Sequence, residues 1–435
     1  MKRIAIATLG CKANQYDSEI IREAFEEKNF GIVSFTDVAD IYVINTCTVT
    51  GKTDYQSRQL IRRAHRINPK AKIVVTGCYA QVAPHDLKKI PGVSLVVGNS
   101  DKSKIADLLI NTAIDKDTRV VVNPFEKNNA FPEEKIKRFF SKTRFFLKIQ
   151  DGCDAHCSYC IIPTSRGPSR SMNPKTVLEL LGRIGSSGYK EVVLTGIHLG
   201  AYGLDLPSPT TLFQLLQQIE KEKPLPRVRL SSIEPNEVNQ KLIDLIGNSE
   251  IICPHLHLPL QSGDNAILRR MNRPYSSENF RQLIKNVADS IPDLTVGVDV
   301  IVGFPGEEEC QFQQTFQLIK ELPVAYLHVF PFSPRKGTAA ARFSERIAGN
   351  TVKSRGNFLR ILGSEKRRVF YKSYLNKKLR VLIESRREKN RDLLKGFSRN
   401  YIPVLVDGGN EFINKEVTVR IISVDGETVI GIMEK

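Results

Sequence analysis

The sequence predicts a mixed α/β chain in three parts: a doubly wound parallel-sheet domain, a central run of six βα units, and a small all-β barrel at the C-terminus. Three observations predict it. Short β-rich runs alternate with helical patterns through the first 115 residues, the alternation restarts near Thr143, and from about Lys372 four strand-like runs follow one another with only Gly-, Asn- and Asp-containing turns between them.

In residues 1–115 the pairs are "RIAIATLG" with "SEIIREAFEEKNF", "DIYVINTC" with "YQSRQLIRRAHRI", and "KIVVTGCYA" with "PHDLKKI". Strands separated by helices of this length pair in parallel, with the helices covering both faces. Residues 116–140 lose the period and collect Pro, Asn and charge, as a linker does. Within 141–370 the strand candidates are "RFFLKIQDGC", "KEVVLTGIH", "RVRLSSIEP", "HLHLPLQSG", "LTVGVDVIVGFPG" and "AYLHVFPFSP". Six such units fit an incomplete barrel or a wide open sheet, and either gathers the strand C-terminal ends at one face. Residues 371–435 supply "KKLRVLIESR", "NYIPVLVD", "KEVTVRIISV" and "ETVIGIMEK".

The chain has 435 residues, enough for two to four domains. No apolar run reaches the roughly 18 residues of a membrane span, and "MKRIAIATLGCK" lacks the pattern of a secretory signal, so a cytoplasmic protein without membrane contact is expected. Net charge is +17, and Lys353–Arg399 holds 16 basic against four acidic residues, or +12 of that total. Charge so concentrated suits a polyanion, above all nucleic acid, although a solvated basic face would read the same way.

Eight cysteines in a chain of this length, without a secretory signal, read as reduced thiols available to a metal. Cys153, Cys157 and Cys160 are spaced C-x3-C-x2-C on the loop leaving the first central strand. Thiolates packed this closely select zinc or an iron–sulfur cluster; zinc would need His156 or a distant residue as fourth ligand, whereas a [4Fe–4S] cluster held by three thiolates keeps one iron open. Cys11, Cys47 and Cys78 lie far apart, yet each ends a strand candidate, and in a doubly wound sheet such ends lie along one edge. The flanking Gly10 and Gly77 would let backbone approach a bulky ligand. Cys253 and Cys310, without companions, read as core thiols.

The C-x3-C-x2-C motif, with Tyr159 before its last Cys, on a six-unit partial barrel resembles the radical S-adenosylmethionine enzymes, in which the cofactor's amino and carboxylate groups chelate the open iron. Both triads together with a terminal β-barrel resemble one subfamily over essentially the whole chain, the methylthiotransferases. The resemblance implies a partial (β/α)6 barrel of radical S-adenosylmethionine type and a C-terminal TRAM-like, RNA-binding domain, to which "GFSRNYIPVLV" is similar. It also implies a second [4Fe–4S] cluster on Cys11, Cys47 and Cys78. S-adenosylmethionine is used twice in that family, to methylate sulfur and to make the 5′-deoxyadenosyl radical that opens a C–H bond.

"TLGCKANQYDSE", "FLKIQDGC" and "CIIPTSRG" resemble the branch that modifies N6-threonylcarbamoyladenosine 37 of tRNA. The other branches take N6-isopentenyladenosine 37 or a ribosomal-protein aspartate, and a different class of reading is a noncatalytic, zinc-dependent RNA-binding protein. A basic docking region would repel a basic ribosomal protein and attract tRNA. The resemblance further implies Thr195, Gly196, Ser232, Glu234, Gln261, Ser262 and Gly303 as cofactor contacts at strand ends, each with a capping role as its plain alternative. Arg386, Arg387, Lys389, Arg391 and Lys395 are the candidate phosphate contacts, and Phe397 and Tyr401 are stacking groups or barrel core. Arg166 and Arg170 read as substrate contacts or surface ion pairs, and His255, His257 and His328 as satisfied interior groups. An electron donor and a sulfur source are implied partners, and a monomer is expected.

Overall fold

The computed structural model describes residues 1–110, 117–125, 131–132, 143–388 and 391–434. These form two compact units: residues 1–139, 148–172 and 333–342 make the first, and the remainder makes the second. The cysteine loop after the first central strand thus shares a unit with the N-terminal sheet.

In the first unit, strands β1 (Arg3–Thr8), β2 (Gly31–Val33), β3 (Ile41–Thr46), β4 (Lys72–Gly77), β5 (Val93–Val97) and β6 (Arg119–Val121) form one sheet in the order β2-β1-β3-β4-β5-β6, paired in parallel throughout. The strand β6 falls in the stretch that composition marks as linker; three residues, "RVV", suffice to close the sheet edge beside β5. Helices α1 (Lys12–Glu27), α2 (Gly51–Ile67), α3 (Cys78–Val82), α4 (Pro84–Lys88) and α5 (Ile105–Ile110) connect the strands. Alternation explains the two cores: Tyr42 and Ile44 face Ile61 and Ala64 of α2, while Ile41 and Val43 face Ile21 and Phe25 of α1. All six residues of β3 are therefore buried. A short antiparallel pair, β8 (Gln150–Asp151) with β9 (Arg170–Ser171), and helix α6 (Ile162–Arg166) frame the cysteine loop.

In the second unit, β7 (Arg144–Lys148), β10 (Glu191–Thr195) and β11 (Arg227–Leu230) form one sheet, and β12 (His255–Gln261), β13 (Thr295–Val302) and β14 (Tyr326–Pro331) another. Parallel bridges Val228↔Ile252 and Ser232↔His257 join them, so six strands follow one another in chain order as an arc, as the incomplete-barrel expectation requires. Helices α7 (Pro174–Ser186), α8 (Leu212–Glu222), α9 (Gln240–Asn248), α10 (Asn265–Arg270), α11 (Ser277–Ser290) and α12 (Glu309–Glu321) fill the crossovers. Side-chain caps start five of them: Asn173, Thr211, Asn239, Asp264 and Ser276 accept from the first-turn amides of α7, α8, α9, α10 and α11.

Helix α13 (Gly349–Lys372) packs on β14 and leads to a closed barrel of β15 (Lys378–Arg387), β16 (Leu394–Ser398), β17 (Pro403–Val406), β18 (Glu416–Asp425) and β19 (Thr428–Met433). Its strand β16, "LKGFS", is the one the sequence hides, because Lys and Gly interrupt the apolar pattern. This barrel caps the starts of the central strands. Arg227 donates to the carbonyls of Phe397 (3.0 Å) and Ser398 (2.9 Å), and Arg229 to that of Arg399 (2.8 Å). Both guanidiniums are fully buried and pair with Glu191. Burial alone would push the Glu191 carboxyl up; Arg229 and Arg227 bring it down to about 2.

Candidate active site

Cys11 precedes α1, Cys47 follows β3 and Cys78 opens α3 directly after β4. Because β1, β3 and β4 are neighbours in the sheet, three residues spread over 68 positions arrive at one edge. Gly10 and Gly77 have φ of +97° and +93°. A Cβ on Gly10 would stand 2.8 Å from the Cys47 sulfur, and one on Gly77 would stand 2.3 Å from the Thr46 carbonyl. The close approach these glycines allow is thus of one strand end to the next, rather than of backbone to a bulky ligand.

Asn14 ties the same ends, donating to the carbonyls of Leu9 (2.7 Å) and Thr46 (3.0 Å). The Cys47 thiol is pushed up to about 12 by burial, with Cys78 and Cys11 adding their own negative fields. Cys47 and Cys78 are buried while Cys11 is exposed, and sulfurs that feel one another in this way suit a ligand that supplies positive charge and takes them as thiolates. The fit to a three-thiolate cluster is good.

Cys153, Cys157 and Cys160 are all half-buried on the loop between β8 and α6. Nothing regular holds such a loop, so individual bonds must. The Cys153 amide donates to the Gly167 carbonyl (3.1 Å), Ala155 N–H to the Cys153 sulfur (3.4 Å), Cys160 N–H to the Cys157 carbonyl (3.1 Å), and Ala340 N–H to the Ser158 carbonyl (2.7 Å). Gly152, at φ +75°, lies so close to Pro168 that a Cβ would stand 1.9 Å from its carbonyl oxygen. Tyr159 is half-buried in the turn before Cys160.

Between the two triads lies a buried ionic network that sequence reasoning did not anticipate. Asp17 on α1 accepts from Lys102 (2.5 Å), Lys148 (2.5 Å) and Arg166 (3.2 Å), and Asp151 on β8 accepts from Lys148 (2.8 Å) and Arg166 (2.7 Å). Arg166 also donates to Asn14, and at 1% exposure it is neither a surface ion pair nor a free substrate contact. Arg170 is buried too, donating to the Arg166 carbonyl (2.7 Å) and lying over the Phe125 ring. Burial would push the Asp151 carboxyl up, but Arg166, Lys148 and Lys102 outweigh it and hold the group well below the carboxylate range. The only sequence signal was charge in unlikely company, "FLKIQD" placing Lys148 and Asp151 in an otherwise apolar strand.

In the second unit the strand ends carry most of the expected contacts. Thr195 ends β10 with its hydroxyl buried and unpartnered among the described residues, and the Gly196 amide donates to Ser231 (3.4 Å). Ser232 is exposed. Glu234, raised by burial, receives Arg273, a residue sequence reasoning missed. Gln261 takes a φ of +64°, strained for a non-glycine residue, at the end of β12. Two of the expected contacts are also engaged locally: the Ser262 hydroxyl lies 3.3 Å from the Thr315 hydroxyl and accepts from the Asp264 amide (3.2 Å), and the Gly303 amide donates to Glu307 (3.0 Å), with Val352 so near that a Cβ at Gly303 would stand 2.4 Å from it.

Of the three histidines read as satisfied interior groups, His255 and His257 are buried but His328 is exposed; His257 and His328 both bond Asp299, at 2.8 and 3.2 Å, and His255 bonds Tyr326 (2.8 Å). The Cys253 side chain is buried, whereas Cys310 is exposed in the first turn of α12, contrary to its reading as a core thiol.

The basic segment divides. Arg387 is held by the carbonyls of Asp392 and Gly408 and by Asn410, and Arg355 by Glu307. Arg386 and Arg391 are exposed, Lys395 is half-exposed over the Phe397 ring, and Lys389 lies outside the described residues. Phe397 and Tyr401, both half-buried, stack on each other at 5.1 Å; Phe397 lies against Arg144 and Tyr401 meets His255 and Arg229, so the rings are engaged against the central strands, outside the barrel's own buried cluster.

Residues 3–98 match the family model described as "Uncharacterized protein family UPF0004", and residues 147–319 match the radical SAM superfamily. The chain is 39% identical to the threonylcarbamoyladenosine tRNA methylthiotransferase MtaB of Bacillus subtilis, over 97% of this chain and 94% of that protein. It is 40% identical to the protein of the same description from Aquifex aeolicus, over 96% and 100%. Identity to the tRNA-2-methylthio-N(6)-dimethylallyladenosine synthase of Bacillus subtilis is 30%, over 98% and 86%. Among solved structures, the radical S-adenosylmethionine methyltransferase TsrM of Kitasatospora setae has the same fold over 76% of this chain and 75% of its own, with a TM-score of 0.56 at 14% identity.

Proposed function

The chain belongs to the methylthiotransferase family of radical S-adenosylmethionine enzymes, and on that premise we propose that it methylthiolates C2 of N6-threonylcarbamoyladenosine 37 in tRNA. The observation that carries the reading is identity of 39% and 40% over nearly the full length of two proteins of that description, against 30% for the dimethylallyladenosine enzyme.

In this reading Cys153, Cys157 and Cys160 hold the [4Fe–4S] cluster that binds S-adenosylmethionine, and Cys11, Cys47 and Cys78 hold the second cluster. Bound there, the clusters and cofactor supply one-electron chemistry at a C–H bond together with the sulfur and methyl group to be inserted. The protein positions. Buried Thr195 with Gly196, Ser232 and Glu234 orient the cofactor, Glu234 being fixed by Arg273, and Gln261 turns its strand end toward the same task. Arg386, Arg391 and Lys395 carry tRNA phosphate contacts, with Arg387 shaping the loop that presents them. A separate reductant and a sulfur donor act on a cytoplasmic monomer.

Mass spectrometry of tRNA nucleosides from a strain lacking the gene tests this. Loss of the 2-methylthio form of threonylcarbamoyladenosine, restored by the intact gene but not by Cys153→Ala, is the expected result; an unchanged nucleoside profile would reject the substrate.

A further inference from the structure

We propose that Arg166 is a positioning residue that couples the two cysteine triads and, through its charge, raises the reduction potential of the cluster on Cys11, Cys47 and Cys78. The inference rests on the two-cluster reading above and adds a residue to it. Four features carry it.

First, Arg166 stands at a junction. It ends α6, which begins two residues after Cys160, and α6 packs against α3, which begins at Cys78. Second, each of its partners is chained to a cysteine. Asn14 and Asp17 lie on the helix that Cys11 opens, and Asp151 is two residues before Cys153. The neighbouring Ser165 carbonyl accepts from Asn99 (2.6 Å), whose amide also reaches the Cys78 sulfur at 3.6 Å. Third, the guanidinium is close enough to Cys78 and Cys11 for its charge to be felt there. Fourth, its Nε–H is buried without an acceptor among the described residues.

The electrostatic consequence follows from sign alone. Reducing a cluster adds one negative charge. A fixed cation nearby, in a site shielded from water, favours the reduced form and equally favours anionic sulfur held at that cluster. Asp17, on the same helix as Cys11, must act in the opposite direction. A purely structural network would not produce opposite effects from its cation and its carboxylate.

The test uses the full chain carrying Cys153→Ala, Cys157→Ala and Cys160→Ala, so that one cluster remains, reconstituted anaerobically and titrated electrochemically with detection by electron paramagnetic resonance. Arg166→Gln is expected to move the midpoint potential negative, Arg166→Lys to leave it close to the parent, and Asp17→Asn to move it positive. An unmoved potential in Arg166→Gln, or shifts of the same sign in Arg166→Gln and Asp17→Asn, overturns the inference while leaving the two-cluster reading intact. Should Arg166→Gln fail to fold, Asp17→Asn decides by itself: a positive shift supports, any other result rejects. A parent that takes up no cluster at Cys11, Cys47 and Cys78 rejects the two-cluster reading and this inference with it.

Discussion

The two cysteine triads solve one problem in opposite ways. Cys153, Cys157 and Cys160 are neighbours in sequence on an irregular loop, so their spacing is written in the chain and their rigidity has to be supplied from outside, by Asp151, Arg166, Gly152 and the Ala340 amide. Cys11, Cys47 and Cys78 are remote in sequence, and the parallel sheet supplies their rigidity while glycines merely permit the approach. A ligand set on a loop is visible as a motif and fragile as a structure; one on strand ends is hidden as a motif and stable as a structure.

The sharpest way to break the comparison is to remove one sulfur from each triad. Cys153→Ala should abolish methylthiolation in tRNA and lower bound iron by about half, with the fold retained by circular dichroism. Cys47→Ala should also abolish methylthiolation, yet retain reductive cleavage of S-adenosylmethionine, measured as 5′-deoxyadenosine. Cleavage lost in both variants would mean that the triads do not divide the work.

Next come the glycines. Gly77→Ala places a Cβ 2.3 Å from the Thr46 carbonyl at a φ of +93° and should destabilise the chain by about 2–3 kcal/mol, while Gly152→Ala at 1.9 Å from the Pro168 carbonyl should cost a similar amount. The prediction lies in the partition: iron analysis in backgrounds carrying a single triad should show Gly77→Ala depleting only the strand-end cluster and Gly152→Ala only the loop cluster.

Outside both triads, Glu191 gives a background against which such losses are read. Its carboxyl is about 2 when folded against 4.5 unfolded, so its stabilisation is present above pH 4.5 and is lost as pH falls toward 2. The full loss is on the order of 3 kcal/mol. Thermal unfolding between pH 5 and pH 3 should therefore fall more steeply in the parent than in Glu191→Gln; parallel curves would mean that the pairs with Arg227 and Arg229 do not stabilise the fold. The smallest effect belongs to the surface. Arg386→Ala, Arg391→Ala and Lys395→Ala should each weaken tRNA binding a few-fold and reduce its salt slope by about one, without altering iron content.

By itself the sequence determined the local chemistry. Alternating β-rich and helical runs specified the parallel sheet and the six-strand arc, because side-chain periodicity is a short-range property, and the spacing of Cys153, Cys157 and Cys160 marked a candidate metal loop for the same reason. Strand-end placement also puts Cys11, Cys47 and Cys78 at one sheet edge, because each follows a parallel strand. Tertiary structure decided what depends on which charges meet. Arg166 in "IIPTSRG" has nothing local to distinguish a buried cation from a surface one; its partners lie at positions 14, 17 and 151, and only the folding of the loop against α1 brings them within hydrogen-bond reach. Part of the basic C-terminal run was decided in the same way, with Arg355, Arg387 and Arg399 turned inward to carboxylates and carbonyls while Arg386 and Arg391 remained in solvent. Burial of a charge is settled by its neighbours in space, and desolvation makes those neighbours obligatory.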